Sequence, residues 1–397
     1  MHLVIMAAGE GSRMRPITDN TPKPLIKICG KTLIEHNIEE IVDVFEDIYI
    51  IIKYKKECFP EYFGETYKGK KIHYIEQLGD VMGTGAAILS LEGKLHGEFV
   101  VVSGDDLYDK NDLQNLIKAK SNTTLVRETP TPELFGIFTR NSKGVINGFI
   151  EKPTDRSLGN QVNIGCHKFH SDIFSELKLL KPSSRGEIEI TDFIHKYAQE
   201  GKYNVIEAQG RWISIGYPWD LLKANDEIIG SYQELVNNGA IIEPNVTIKG
   251  NVYLEEGAIL KSGTYIEGNA YFGKNCQIGP YTHIRGNTYF GSTTRAGAYS
   301  EIKNCYFGDN TVVAQGTVIV DTVAGMDVNF GSGTITTNWR HDSTNIRALS
   351  KGKLVDTGRR KLGAIVGDHV RFGANTTIYP GRTIPSDGTT LPGEIVK

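Results

Sequence analysis

From Ile242 onward an apolar residue recurs at every sixth position. Ile242, Ile248, Leu254, Leu260, Ile266, Phe272, Ile278, Ile284, Phe290, Ala296 and Ile302 are eleven consecutive hits. After a step of five the register resumes at Phe307, Val313 and Ile319, and it returns at Val366, Phe372, Ile378 and Ile384. Four positions after each apolar residue sits a small or compact one, as at Ala258, Thr264, Ala270, Cys276 and Thr282. A helix of 3.6 residues per turn would scatter this pattern around its surface, and a simple hairpin needs a period of two. A period of six with small residues and glycine at the corners fits a parallel β-helix, in which each flat face is one hexad and stacked coils share a core. Glycine usage agrees: 21 glycines fall in residues 1–230 and 23 in the shorter stretch 231–397. Residues 336–360 carry no hexads but contain charges and Trp339, so an inserted loop is expected there. Such insertions in β-helices commonly carry function or subunit contact.

The preceding residues follow different rules. His2–Met6, Ile48–Ile52 and Phe99–Val102 are short apolar runs, suited to strands buried on both faces. Between them lie amphipathic stretches: Thr32 with Glu35 forms a capping pair, and Ile34, Ile38, Ile41, Val42 and Phe45 recur at helical spacing. Further helices are expected over Ser171–Leu180 and Trp219–Glu234. Strand and helix in alternation imply crossover units, a largely parallel sheet, and ligands at the carboxyl ends of its strands. The resulting division is an α/β domain over 1–230, a linker at 231–240 and the β-helix over 241–397.

Composition narrows the function. Among 397 residues, 44 Lys+Arg against 47 Asp+Glu leave a net charge of −3. That balance lacks the basic face of a nucleic-acid binder. No apolar run approaches the ~18 residues that span a bilayer, and the N-terminus shows no signal-peptide pattern. Five scattered cysteines form no CxxC pair, so reduced thiols in a cytoplasmic protein are expected.

The first strand runs into Ala7-Ala8-Gly9-Glu10-Gly11-Ser12-Arg13-Met14-Arg15-Pro16. No Gly-Lys-Ser/Thr follows, and the spacing is not that of a dinucleotide fingerprint. Glycines after a strand let the backbone approach a ligand closely, and their N–H groups can surround phosphate oxygens. A turn of this kind is equally compatible with a purely structural loop, but Arg13 and Lys23 add two cations suited to a triphosphate.

The stretch GEGSRMRPITDNTPKPL resembles the signature of the sugar-1-phosphate nucleotidylyltransferases (NDP-sugar pyrophosphorylases), G-x-G-x-R-[ML]-x-P-x-T followed by P-K-P. Gly83-Thr84-Gly85-Ala86, Gly104-Asp105-Asp106, Phe135-Gly136, Glu151-Lys152-Pro153 and Val162-Asn163-Ile164-Gly165 follow in that family's order. With the C-terminal repeats, the chain is similar to archaeal bifunctional nucleotidylyltransferase/acetyltransferases. DVNFGSGT at Asp327–Thr334 and GRRKLG at Gly358–Gly363 carry that likeness.

The resemblance implies a Rossmann-like mixed sheet with helices on both faces, followed by a left-handed parallel β-helix. It implies transfer of a nucleotidyl group from UTP or dTTP to a hexose-1-phosphate, with Mg²⁺ as cofactor. Arg13 and Lys23 would be catalytic, holding the departing pyrophosphate and bridging the reacting phosphates. Ala8, Gly9, Gly11, Gln77, Gly83 and Thr84 would bind the nucleotide. Gly136, Glu151 and Asn163 would line the hexose, Lys152 would meet its phosphate, and Asp105 would ligate the metal. Where the family commonly has W-x-[DN]-x-G, with a second metal ligand, this chain has Trp212-Ile213-Ser214-Ile215-Gly216.

In the β-helix, Arg285, Glu301, Lys303, Asn329 and Asn338 match the family's sugar-phosphate pocket. Related acetyltransferases bind acetyl-CoA and deprotonate the attacking amine with a histidine. Ungapped alignment puts Gln315 at that position and Val318 at a neighbouring tyrosine. Glutamine accepts no proton near neutral pH. The β-helix is therefore expected mainly to assemble subunits as a homo-oligomer, a trimer or a multiple of it. The alternatives are a bifunctional enzyme that also N-acetylates an amino-sugar-1-phosphate, and a catalytically weakened paralogue acting as regulator or scaffold.

Overall fold

The computed structural model describes residues 1–77, 83–142, 144–183 and 186–397. Two compact units divide the chain. One comprises Met1–Glu10 and Leu33–Ser214, the other Gly11–Thr32 and Ile215–Lys397.

The first unit is built on a ten-stranded mixed sheet of Rossmann-like form. Strand His2–Ala7 lies between Asp47–Ile52 and Glu98–Ser103, parallel to both, and Lys70–Glu76 adds in parallel beyond Asp47–Ile52. On the other side the pairing turns antiparallel: Gln161–His170 against Glu98–Ser103, then Gly136–Arg140 and Ile146–Glu151. Val4, Ile5, Ile50, Val100 and Val101 are buried, as continuous apolar runs covered on both faces require. Helix Ile190–Gln199 turns Ile190, Phe193, Ile194 and Ala198 inward, at helical spacing.

The helix expected after Thr32 runs only over Leu33–Ile38, and Val42–Val44 forms a separate single turn. The apolar spacing is continuous there, but the chain must turn into Asp47–Ile52 within a few residues. The expected helix at Ser171–Leu180 forms over Ile173–Leu177.

The second unit contains three parallel sheets of eight, seven and eight strands, one per face of a left-handed β-helix. Register steps such as Ile248↔Ile266↔Ile284↔Ile302 show a coil of three hexads. The five-residue step makes the next coil one residue shorter, with Ile302 opposite Ile319. Phe272 stacks on Phe290 at 5.1 Å and Phe330 on Phe372 at 5.1 Å inside the coils. The compact positions are hydroxyl-rich corners: Thr282 Oγ1 donates to Gly297 O at 2.9 Å, and Thr311 Oγ1 to Gly325 O at 3.1 Å. Each such bond satisfies a carbonyl of the following coil. Helix Asp220–Ile229, within the stretch expected to be helical, also belongs to this unit. Within residues 336–360, Arg347–Ser350 and Lys353–Asp356 pair as an antiparallel hairpin. Ile346, Ala348 and Ser350 are its buried, alternating side.

None of the five cysteines is in a disulfide, and burial pushes the thiols of Cys166, Cys276 and Cys305 up. Among the described residues no helix is long and apolar enough to cross a membrane.

His167 offers a test of the first core. Its ring stacks on Phe169 at 5.3 Å, its Nδ1 lies 3.0 Å from Tyr203 Oη, and burial lowers its pKa to about 3. The unfolded chain accepts a proton near pH ~6.5 that the folded chain refuses, so stability is complete above that pH and lost as pH falls toward the folded value. The melting temperature of the wild type should drop more steeply on acidification below neutrality than that of His167→Gln. Parallel curves would contradict the assignment.

Candidate functional site

Parallel register brings the ends of three strands of the first unit level. Met6 pairs with Ser103 and Ala7 with Ile52, so Ala8-Gly9 leaves the sheet beside Ser103-Gly104-Asp105. Gly104 N–H donates to Met6 O at 3.0 Å, and Gln77 N–H donates to Ile52 O at 3.0 Å. Gly9 has open space where a Cβ would stand. Gln77 is 5% exposed, with its side-chain amide 3.5 Å from Gly83 O. Gly83 has φ +111°, and a Cβ there would fall 2.3 Å from Ile188 O. Gly85 and Ala86 N–H groups both donate to that carbonyl, and Thr84 Oγ1 accepts from Ile190 N–H at 3.1 Å. The glycine motif therefore also serves close backbone packing.

Asp105 accepts a hydrogen bond from Ser103 Oγ at 2.5 Å, which orients one carboxylate oxygen. Asp106 differs: its Oδ2 accepts from Trp212 Nε1 at 3.1 Å, and its backbone pairs directly with Ser214. Ser214 thus stands beside the acidic pair, and Asp106 anchors the indole two residues before it. Among the described residues no three His, Cys, Asp or Glu side chains converge to hold a metal. One carboxylate is nonetheless sufficient for Mg²⁺, which is held by one or two carboxylates together with substrate phosphates.

A second group of expected residues gathers on the antiparallel strands. Gly136 pairs with Glu151. Lys152, at φ +47°, donates its N–H to Phe135 O at 2.9 Å, and its Nζ lies 3.9 Å from Glu151 Oε1. Asn163 Oδ1 accepts from Gly165 N–H at 3.0 Å and from Thr124 Oγ1 at 3.3 Å.

Gly11, Arg13 and Lys23 belong to the second unit. Gly11, at φ +62°, opens the turn Ser12–Met14, and a Cβ on it would stand 3.2 Å from Lys23 Cβ. Lys23 is only 6% exposed. The Arg13 guanidinium lies 5.3 Å above the Tyr217 ring, which itself stacks on Trp219 at 4.6 Å. A Cβ on Gly216 would come within 3.8 Å of that guanidinium and 3.7 Å of Asp220 Oδ2. Asp220 Oδ2 accepts the N–H groups of Gly216 at 2.8 Å and Tyr217 at 2.7 Å. Burial raises the Asp220 pKa, opposed by those N–H groups and by Lys23. Two cations and their supporting carboxylate thus share one neighbourhood. Asp220 carried no motif in the sequence; its place at the start of helix Asp220–Ile229, facing back over the preceding turn, was the only local sign.

The β-helix residues do not all meet within one chain. Arg285, Glu301 and Lys303 lie on one sheet, with Arg285 ion-paired to Glu301 of the next coil. Asn329 lies on another sheet, between Val312 and Arg371. Gln315 follows strand Val312–Val313, and its carbonyl accepts from Gly333 N–H at 3.3 Å. Asn338 donates to Asp321 Oδ2 at 2.5 Å, and Asn304 donates to the other oxygen of that carboxylate, Oδ1, at 3.1 Å.

Residues 2–230 match the Nucleotidyl transferase family. A Methanococcus maripaludis protein named "Bifunctional protein GlmU" is 43% identical over 388 residues, 98% of this chain and 92% of that one. A Sulfurisphaera tokodaii "Bifunctional sugar-1-phosphate nucleotidylyltransferase/acetyltransferase" is 37% identical over 398 residues, covering all of this chain and 97% of its own. Among solved structures, a UDP-glucose pyrophosphorylase complexed with UDP-glucose matches 57% of this chain and 97% of its own, at 24% identity and a TM-score of 0.51. That last likeness is one of fold.

Two glycines separate packing from access. Gly136→Ala would drive a Cβ to 2.0 Å from Phe149 Cζ. It should cost about 1–3 kcal/mol in a denaturant titration. Gly9→Ala should change stability by less than about 0.5 kcal/mol. Equal losses at the two positions would contradict the geometry.

Proposed function

The chain belongs to the nucleotidyl transferase family, and we propose that it makes an NDP-sugar from UTP or dTTP and a hexose-1-phosphate. An oxygen of the sugar phosphate attacks the α-phosphorus, the bond from that phosphorus to the β-phosphate's bridging oxygen breaks, and pyrophosphate leaves. The nucleophile is already an anion, so no general base is required, and the protein's work is alignment and charge neutralisation. The observation carrying this reading is a pair of cations at and beside the glycine turn: Arg13 over the Tyr217 ring, and Lys23 buried against Gly11. Fixed cations cost little reorganisation as charge moves onto the leaving group.

By their motif positions, Arg13 steadies the β- and γ-phosphates and Lys23 bridges the α-phosphate and the attacking phosphate. The backbone at Ala8, Gly9 and Gly11, with Gln77, Gly83 and Thr84, holds the nucleotide. Gly136, Glu151 and Asn163 take the hexose, while Lys152 takes its phosphate. Asp105 is the residue that would hold Mg²⁺, which when bound neutralises triphosphate charge. We assign the nucleotidylyltransferase domain to 1–230, a linker to 231–240 and the β-helix to 241–397; the extent of the family match supports the first boundary.

For the β-helix we propose assembly into trimers. Its pocket-matching residues are divided between two sheets of one chain, and the outward side chains Ile241, Ile335 and Ile395 are exposed. N-acetylation is favoured by the full-length match to relatives named bifunctional. Gln315 stands against it.

The deciding experiment measures pyrophosphate release with the common nucleoside triphosphates crossed against glucose-, glucosamine- and N-acetylglucosamine-1-phosphate. We expect release with a uridine or thymidine triphosphate, lost on chelation and restored by Mg²⁺. Lys23→Ala or Arg13→Ala should lower kcat by about 10²–10³ with an unchanged melting temperature. Silence from folded wild type across the whole panel would promote the scaffold reading. Acetyl-CoA consumption with glucosamine-1-phosphate is expected to be absent, and consumption abolished by Gln315→Ala would establish the second activity.

A further inference from the structure

The segment that carries Arg13 and Lys23 is bound into the β-helix unit along its whole length. Ser350 Oγ, on the inserted hairpin, donates to Arg13 O at 3.3 Å. Asn20 Nδ2 donates to Asp368 Oδ2 at 3.1 Å, and Ser386 Oγ donates to Asp19 Oδ2 at 2.9 Å. Tyr306 Oη donates to Lys27 O at 2.8 Å, and Lys27 Nζ meets Asp309 Oδ2 at 3.3 Å. Backbone also approaches closely: a Cβ on Gly367 would fall 2.9 Å from Pro16 Cβ, and one on Gly30 would fall 2.1 Å from Tyr271 Oη. These partners come from separate coils and from the insert, hundreds of residues beyond the segment they hold.

Ser350 stands apart among them. It is buried, it lies in strand Arg347–Ser350 of an insert that interrupts the hexads, and it bonds to the backbone of the residue that presents the guanidinium. A shift of the Arg13 carbonyl rotates the adjoining peptide planes and re-aims that side chain. Four other bonds hold the segment at residues 19, 20 and 27, beyond the turn Ser12–Met14. Loss of the Ser350 hydroxyl therefore loosens the turn while leaving the segment attached.

We propose that the β-helix serves nucleotidyl transfer directly, as the mount of the triphosphate-binding cations, and that Ser350 is a positioning residue acting through the backbone of Arg13. The inserted hairpin, on this account, belongs to the first reaction and not only to subunit assembly. The inference rests on the proposed function for its kinetic consequence, but its structural content can be measured without turnover.

The test uses the full chain as wild type, Ser350→Ala and Ser350→Thr. Hydrogen exchange read by mass spectrometry should show peptides covering Gly11–Thr18 exchanging about fivefold faster in Ser350→Ala, with Asp47–Ile52 unaffected. In steady-state kinetics, KM for the nucleoside triphosphate should rise about five- to twentyfold, and KM for the sugar phosphate should stay within about twofold. The melting temperature should not move, and Ser350→Thr, which keeps the hydroxyl, should restore both readouts. Unchanged exchange over Gly11–Thr18 in Ser350→Ala would overturn the proposal. So would a rise of both KM values together with a fall in melting temperature, the mark of a merely structural role.

Discussion

Everything in the first unit depends on the parallel hydrogen bonding of His2–Ala7 between Asp47–Ile52 and Glu98–Ser103. Three apolar strands in register can be buried on both faces only if their polar backbone is paired throughout. Pairing stops at the same level on all three, and two of them, His2–Ala7 and Glu98–Ser103, run there into glycine and acid. Backbone N–H groups freed there are available to a ligand, and Ala8-Gly9 and Asp105 occupy that end. The sheet thus fixes where chemistry can occur before any side chain is considered.

The second unit obeys a different constraint. A β-helix buries one inward residue per hexad and leaves its outward positions uncommitted, so one face can be dedicated to another task. Here outward and corner groups such as Tyr306, Asp309 and Asp368 hold the segment 11–32. That segment has little apolar core of its own, and regular secondary structure within it is limited to two single turns and two two-residue strands. Its order is supplied by the prism. A glycine turn that would be mobile on its own becomes a fixed cation holder, with Asp220 bracing the neighbouring turn from the other direction.

Legibility in the sequence followed the range of the interaction. Hexads were readable because the period recurs along the chain, and even the shortened coil appeared as the step from Ile302 to Phe307. The glycine turn, Arg13, Lys23 and Asp105 were readable because a motif holds them at fixed spacing. Helix length after Thr32 was overestimated, since apolar spacing says nothing of where tertiary geometry forces a turn. The insert hairpin left only a faint period of two across Ile346, Ala348 and Ser350. Ser350, Asn20 with Asp368, and Asp220 were invisible for a physical reason: their partners are distant in sequence or are backbone groups, which leave no residue signature. The departure at Ser214 was legible as a missing carboxylate, but only register showed it paired with Asp106, whose own carboxylate holds Trp212.

The account's central claim is direct displacement: the sugar phosphate itself attacks the nucleotide's α-phosphorus while fixed cations hold the reactants in line. Stereochemistry reads this without reference to rates. With a nucleoside triphosphate made chiral at the α-phosphorus by sulfur, a single in-line displacement inverts the configuration. Inversion in the NDP-sugar product is the predicted result. Retention would require a covalent nucleotidyl-enzyme formed and consumed in two steps, and it would contradict a site built only to align and neutralise.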